Sequence, residues 1–148
     1  MFGKLDLSES IETFLNKKKL GPDALKMTFE EFQTTLKKRK AIVKSALMNQ
    51  SIVAGIGNIY SDEILFQTHI HPKTKINDVP EQELEFLYNN IKKVLNYGIK
   101  MKGDYENYSR DFLIPNRTKD GICPNCTNPL ERYELQGRHG FFCKYCQK

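Results

Sequence analysis

The apolar positions divide the chain into a long helical stretch and a short tail of different character. Thr28-Phe29-Glu30-Glu31 has the pattern of a capping box, and Phe29, Phe32 and Leu36 follow at helical spacing, which predicts a helix to about Lys38. A shorter helix is predicted from Ile42 to Met48, with Ile42, Ala46 and Leu47 on one side. Gly55 and Gly57 interrupt the pattern; a helix restarts near Asn58, turns Ile59, Leu65 and Phe66 inward, and stops near His69-Ile70-His71-Pro72. Asp78-Val79-Pro80-Glu81 opens the longest helix, with an apolar stripe of Leu84, Leu87, Ile91, Val94, Leu95 and Ile99, and Gly103 ends it.

Asp104 to Lys119 carries few aliphatic residues and reads as a loop. From Gly121 onward cysteines, turn residues and short strand-like runs take over. Ahead of the first helix, Phe2 to Leu7 alternates weakly, as the end of a strand does, and Lys17 to Pro22 is a polar connection closed by Gly21-Pro22. The expected class is mainly α: a helical domain over 20–102, a connecting loop over 103–120 and a small β-hairpin metal ribbon over 121–148, preceded by a linker over 1–19.

Charge changes this picture only a little. The 148 residues carry a net +5 with a pI near 9.0, which mildly favours a polyanionic partner. No run approaches ~18 consecutive apolar residues, so no transmembrane helix and no membrane partner are predicted. Met1-Phe2-Gly3-Lys4-Leu5-Asp6 lacks the apolar region of a signal peptide, which predicts a reducing cytoplasm. Four cysteines there read as metal ligands before they read as disulfides.

Their spacing is the strongest local signal. Cys123-x2-Cys126 and Cys143-x2-Cys146 are two knuckles separated by sixteen residues. Each two-residue gap lets a pair of thiolates converge on one ion, and a hairpin of Leu130 to Leu135 with Phe141-Phe142 brings the knuckles together. A pair of disulfides or a redox Cys-x-x-Cys does not account for two identical pairs at this spacing. One structural Zn²⁺ is therefore predicted. At the hairpin tip, Gln136-Gly137-Arg138-His139-Gly140 offers one arginine, which is either a solvated turn residue or a guanidinium presented to a phosphate.

A second feature is Ile52-Val53-Ala54-Gly55-Ile56-Gly57-Asn58-Ile59-Tyr60. Glycines just before a helix start allow close approach of a ligand to unpaired N–H groups, an anion site, although a plain interhelical turn is the default for Gly-x-Gly. Asn58 is placed either to cap that helix or to donate to a phosphate. The basic run Lys37-Lys38-Arg39-Lys40, with Lys44 beyond it, lies one short helix upstream.

Taken together, Lys44 to Gln50, Val53 to Glu63 and Ile70-His71-Pro72 resemble the helix–two-turns–helix of the formamidopyrimidine-DNA glycosylase and endonuclease VIII family, leaning to the formamidopyrimidine branch. Phe2-Gly3-Lys4-Leu5 and Leu20-Gly21-Pro22 are similar to the end of that family's first domain and its linker, and the cysteine tail to its C-terminal zinc finger. The resemblance implies that Asn58 and Arg138 contact phosphates around an extruded base, that Lys44 lies near the same backbone, and that the amides of Gly55, Ile56, Gly57 and Asn58 add contacts. It implies as partner double-stranded DNA with a damaged base or abasic site, bound by a monomer, in the cytoplasm and at the nucleoid when bound. The family's nucleophile is an N-terminal proline on a separate β-sandwich domain. These residues begin Met1-Phe2, so the expectation is a DNA-gripping part that is inactive alone, with residues 1–19 the end of that domain and its linker. The Gly103 to Gly121 link also looks shorter than the family's. The alternatives are a free-standing zinc-containing nucleic-acid-binding module and a protein-interaction module with a merely structural ribbon.

Overall fold

The computed structural model describes residues 20–148, so the strand-like Phe2 to Leu7 and most of the first linker lie outside it. Helix α1 spans Phe29–Lys37, and the capping box that starts it is present: Thr28 Oγ1 accepts from Glu31 N at 3.1 Å, and Glu31 reaches back to Thr28 N. Helix α2 is Val43–Met48, α3 is Asn58–Gln67 and α4 is Glu81–Lys100. A two-stranded antiparallel hairpin follows, β1 Glu131–Leu135 and β2 Arg138–Phe142. Among the described residues no helix is long and apolar enough to cross a membrane.

One apolar core joins the first four helices. Phe32 and Leu36 of α1, Val43 and Leu47 of α2, Ile64 and Leu65 of α3, and Leu84, Leu87, Ile91 and Val94 of α4 meet with Val53 and Ile56 of the glycine turn. Ile99 departs from the expected stripe and is 62 % exposed. It is the penultimate residue of α4, beyond the last core layer. The end itself is a Schellman motif in which Lys102 (φ 52°) takes the left-handed position before Gly103 (φ 73°). Gly103 N bonds Gly98 O and Lys102 N bonds Ile99 O.

One expectation needs correcting here, the place of Arg138 in the hairpin. The 103–120 segment is an irregular connector that packs against the helices. It forms short 3₁₀ turns at Tyr105–Asn107 and Ile114–Asn116, and Tyr108, Phe112, Leu113 and Ile114 are buried. Its core is largely aromatic: Tyr97 of α4 stacks on Phe112 at 4.4 Å, with Tyr108 edge-on to both. Arg138, in turn, is not at the hairpin tip. The turn is Gln136-Gly137, both at positive φ, and Arg138 opens β2 opposite Leu135.

Helix α3 carries the second layer. Ile64 and Leu65 face the helical core, whereas Asp62 and Glu63 are also buried, on the side covered by the connector and hairpin. The chain end closes the same side: Gln147 Nε2 donates to Ile70 O, and Lys148 N to His69 O.

Candidate nucleic-acid interface and metal centre

The four cysteines converge as their spacing predicts. Their Sγ atoms all lie within 4.8 Å of one another, with Cys123–Cys146 at 3.8 Å and Cys126–Cys143 at 3.4 Å. A disulfide requires ~2.05 Å, whereas tetrahedral thiolates at ~2.3 Å from one ion stand about 3.8 Å apart. The donor set therefore fits one tetrahedral metal ion. The knuckles supply the usual N–H···S support, from Asn125 N to Cys123 and from Asn128 Nδ2 to Cys126. The Asn128 amides hold the Cys126 thiol down at about 6, which favours the ligating thiolate. Burial pushes the Cys123 and Cys146 thiols up, a cost that a bound cation offsets.

A cleft of about 470 Å³ lies where the glycine turn meets the hairpin, and Gly57, Asn58 and Arg138 all line it. Gln50 shapes the turn from inside: its side chain accepts from Gly55 N at 2.8 Å and donates to Ile56 O at 2.9 Å. Gly55 has φ +107°, a conformation costly for any residue with a Cβ. Its amide is already satisfied and it lines another groove, so it is not one of the free donors of the cleft. Helix α3 starts at Gly57 with no side-chain cap, leaving the first-turn amides with neither a capping side chain nor an intrahelical acceptor.

Asn58 does not cap α3. Its Nδ2 crosses to the hairpin and donates to His139 O at 2.9 Å, while its buried Oδ1 has no partner. This bond ties the helical turn to the strand that carries Arg138.

Lys44 is the residue placed most differently from expectation. It is 1 % exposed, and its ammonium donates to Asp62 Oδ1 at 2.6 Å and to Asn58 O at 2.9 Å. Burial pulls its pKa down and the Asp62 carboxylate opposes that shift. A lysine so engaged supports Asn58 from behind and does not face a ligand. Asp62 is the hub of this region. Besides Lys44 it accepts from Tyr133 Oη (2.6 Å), from Phe141 N (3.0 Å) and from Arg117, whose Nη2 lies at 2.9 Å. Gly140 lets the Tyr133 ring lie across β2, since a Cβ there would stand 2.4 Å from that ring. Glu63 next door accepts from Leu113 N and Ile114 N and so holds the connector. Its burial raises the carboxyl pKa.

Comparison with known proteins identifies this arrangement. The family model "Formamidopyrimidine-DNA glycosylase H2TH domain" matches residues 20–109, more than half of the chain. The chain belongs to the formamidopyrimidine-DNA glycosylase family. A formamidopyrimidine-DNA glycosylase of Solibacter usitatus is 34 % identical over 99 % of this chain and 59 % of its own length. One of Ligilactobacillus salivarius is 39 % identical over 87 % of this chain and 51 % of its own. The solved complex between the Lactococcus lactis Fpg and DNA containing an abasic site superposes with a TM-score of 0.79 at 28 % identity, covering 93 % of this chain and 55 % of that one. The chain thus spans little more than half the length of the relatives it matches. Within that span the architecture is the family's: a mainly helical unit followed by a two-stranded hairpin.

The cleft brings Asn58, Gly57 and Arg138 together, but little in the sequence marks Asp62, Arg117, Tyr133 or Gln50. The first three meet across long sequence separations, whereas Gln50 bonds Gly55 and Ile56 close by. The one signal available was a pair of acids, Asp62-Glu63, next to apolar residues on a short helix.

Proposed function

We propose that this chain grips damaged duplex DNA in base-excision repair, as the helix–two-turns–helix and zinc-finger part of a formamidopyrimidine-DNA glycosylase. The observation that carries the reading is the shared cleft, in which Arg138 of the finger and Asn58 of the helical turn face one space although eighty residues separate them. A guanidinium, an uncapped helix start and a side-chain amide are all donors, and together they suit a phosphate oxygen. Asn58 Nδ2 spends one hydrogen on His139 O and keeps a second to offer. Phosphate donors are therefore assigned to Arg138, Asn58 and the amides of Ile56, Gly57 and Asn58, with Gly55 shaping the turn and Lys44 supporting Asn58. One Zn²⁺ on Cys123, Cys126, Cys143 and Cys146 keeps the finger folded so that Arg138 is held in place.

Excision and strand cleavage belong, on the family resemblance, to a domain bearing a proline amine. The 148-residue chain alone is expected to bind abasic duplex without turning it over. An unperturbed amine of pKa near 10.4 is mostly protonated at neutral pH and a poor nucleophile. An amine not positioned at the sugar C1′ also forfeits most of the ~7–11 kcal/mol that orientation supplies. Titration with labelled duplex at several salt concentrations tests binding, and borohydride trapping on abasic duplex tests chemistry. Affinity that does not depend on salt overturns the phosphate reading. Robust trapping at a single mapped lysine overturns the division of labour.

A further inference from the structure

The buried charges beneath the cleft form a closed circuit. Asp62 Oδ1 accepts from Lys44 Nζ, and that same ammonium donates to the Asn58 carbonyl. The Asn58 side chain donates to His139 O, and two residues along the strand Phe141 N returns to Asp62 Oδ2. Both cleft donors lie on this circuit, Asn58 as a member and Arg138 as the neighbour of His139. Arg117 and Tyr133 brace the carboxylate from the connector and from β1. Five hydrogen bonds from four separate segments thus end on one side chain that is 1 % exposed.

We propose that Asp62 is a positioning residue for duplex binding, one that holds Asn58 and Arg138 at the separation a phosphate backbone requires. The inference rests on the DNA-binding reading above and adds to it the residue that sets the geometry. The physical case turns on direction. An apolar contact of similar volume docks two elements as strongly as a buried ion pair does. It does so without fixing their relative slide, because burial is non-directional. Hydrogen bonds to both carboxylate oxygens fix the slide of β2 against α3, and the Lys44 leg transmits that register to the backbone of Asn58. Sub-ångström placement is what donors need when they must meet a ligand together.

Asp62→Asn keeps the shape and removes the charge. Its amide also turns two donor hydrogens towards either Lys44 and Tyr133 or Arg117 and Phe141 N, which are donors themselves. The experiment uses the full chain and a fluorescent duplex carrying one tetrahydrofuran abasic analogue. Metal content and far-ultraviolet circular dichroism establish that each variant is folded. Asp62→Asn is expected to retain both and to bind about tenfold more weakly. In the wild type, Arg138→Ala lowers the slope of log affinity against log salt by about 0.9. In the Asp62→Asn background the same change is expected to do almost nothing, because Arg138 is already out of place. A purely structural role predicts the reverse, with the full Arg138 effect surviving in the folded variant.

Should Asp62→Asn lose its metal or its helices, Asp62→Asn with Lys44→Met carries the same expectation. The wild type buries Lys44, Arg117 and Asp62 here, a net single positive charge, and the double variant restores that balance with the circuit still broken. Wild-type affinity in either folded variant, or an undiminished Arg138→Ala effect, overturns the inference. An absence of binding by the wild type overturns the DNA reading itself, which keeps the two failures distinct.

Discussion

The helical region and the finger are held together by different physics. Among the described residues, nineteen buried apolar side chains form the core shared by α1 to α4, whereas the cluster around the cysteines holds five, two of them ligands. The first region is stabilised by burial, at about 25 cal/mol per Å² of apolar surface removed from water. The second is too small for that; it is held by a hairpin and polar bonds into α3, and its four clustered cysteines are the donor set for a metal knot. The difference teaches that the side of α3 facing the finger need not be apolar. Asp62 and Glu63 are buried because the finger and connector bring donors to them, and a carboxylate so surrounded is satisfied where an isolated one is not.

The sharpest way to break the comparison is to remove the metal. Chelation, or Cys143→Ser, is expected to disorder the finger and abolish its share of DNA binding while α1, α2 and α4 stay helical. Structural zinc contributes an apparent ~10–16 kcal/mol to small fingers at neutral pH. Metal analysis combined with amide hydrogen exchange reads both halves, and retention of a protected hairpin without metal contradicts the expectation.

The converse perturbation is Phe32→Ala, which truncates a side chain fully buried among helices and remote from the cysteines. It is expected to destabilise the helical unit by about 3–5 kcal/mol. Denaturant unfolding measures the loss, and one equivalent of zinc should remain bound in the folded protein.

Next in size are the cleft donors. Asn58→Ala and Arg138→Ala are each expected to weaken duplex binding by roughly 1–3 kcal/mol, the range for charge-assisted hydrogen bonds and their loss. Only the arginine is expected to change the salt slope, by about 0.9, because neutral Asn58 displaces no counterion. The effect should be alike on different sequences, since phosphates carry no base identity. Equal slopes for Arg138→Ala and the wild type would return the arginine to a solvated strand end.

The smallest expected effect concerns the helical stripe. Ile99→Gln is expected to change stability by less than about 0.5 kcal/mol, in line with its exposure. Leu87→Ala, about three turns earlier on the same stripe and fully buried, should cost ~2–5 kcal/mol. Thermal unfolding of the two variants checks the pair, and a large loss at Ile99 would show that something covers it.

Much of this molecule could be read from periodicity and spacing. The capping box at Thr28, the stripe of α4 and the two cysteine knuckles are local patterns with local causes, so they survive translation from sequence to structure. Errors arose where the cause was not local. The packing of the Asp104 to Lys119 segment is not visible locally, because half of its buried residues are aromatic and its partners, Tyr97 and Glu63, lie elsewhere in the chain. The burial of Lys44 is not foreseeable locally, because a lysine on a short helix normally snorkels to water and nothing nearby in sequence announces Asp62. Arg138 was placed in the turn because two glycines flank the segment, but the Gln136-Gly137 pair closes the hairpin on its own.

By itself the sequence determined which segments become helices, where the hairpin and its two cysteine knuckles lie, and which residue types were available to meet a phosphate. Propensity, capping and knuckle spacing act over a few residues and need no knowledge of the rest of the chain. Only the tertiary structure decided that Asn58 and Arg138 share one cleft, that Gly55 shapes the turn from its edge, and that Lys44 works through Asp62 instead of outward. Those outcomes depend on which groups lose water together when α3 is covered on both sides. Desolvation is a property of the packed molecule, and it turned an ordinary pair of acids on α3 into the junction between its two halves.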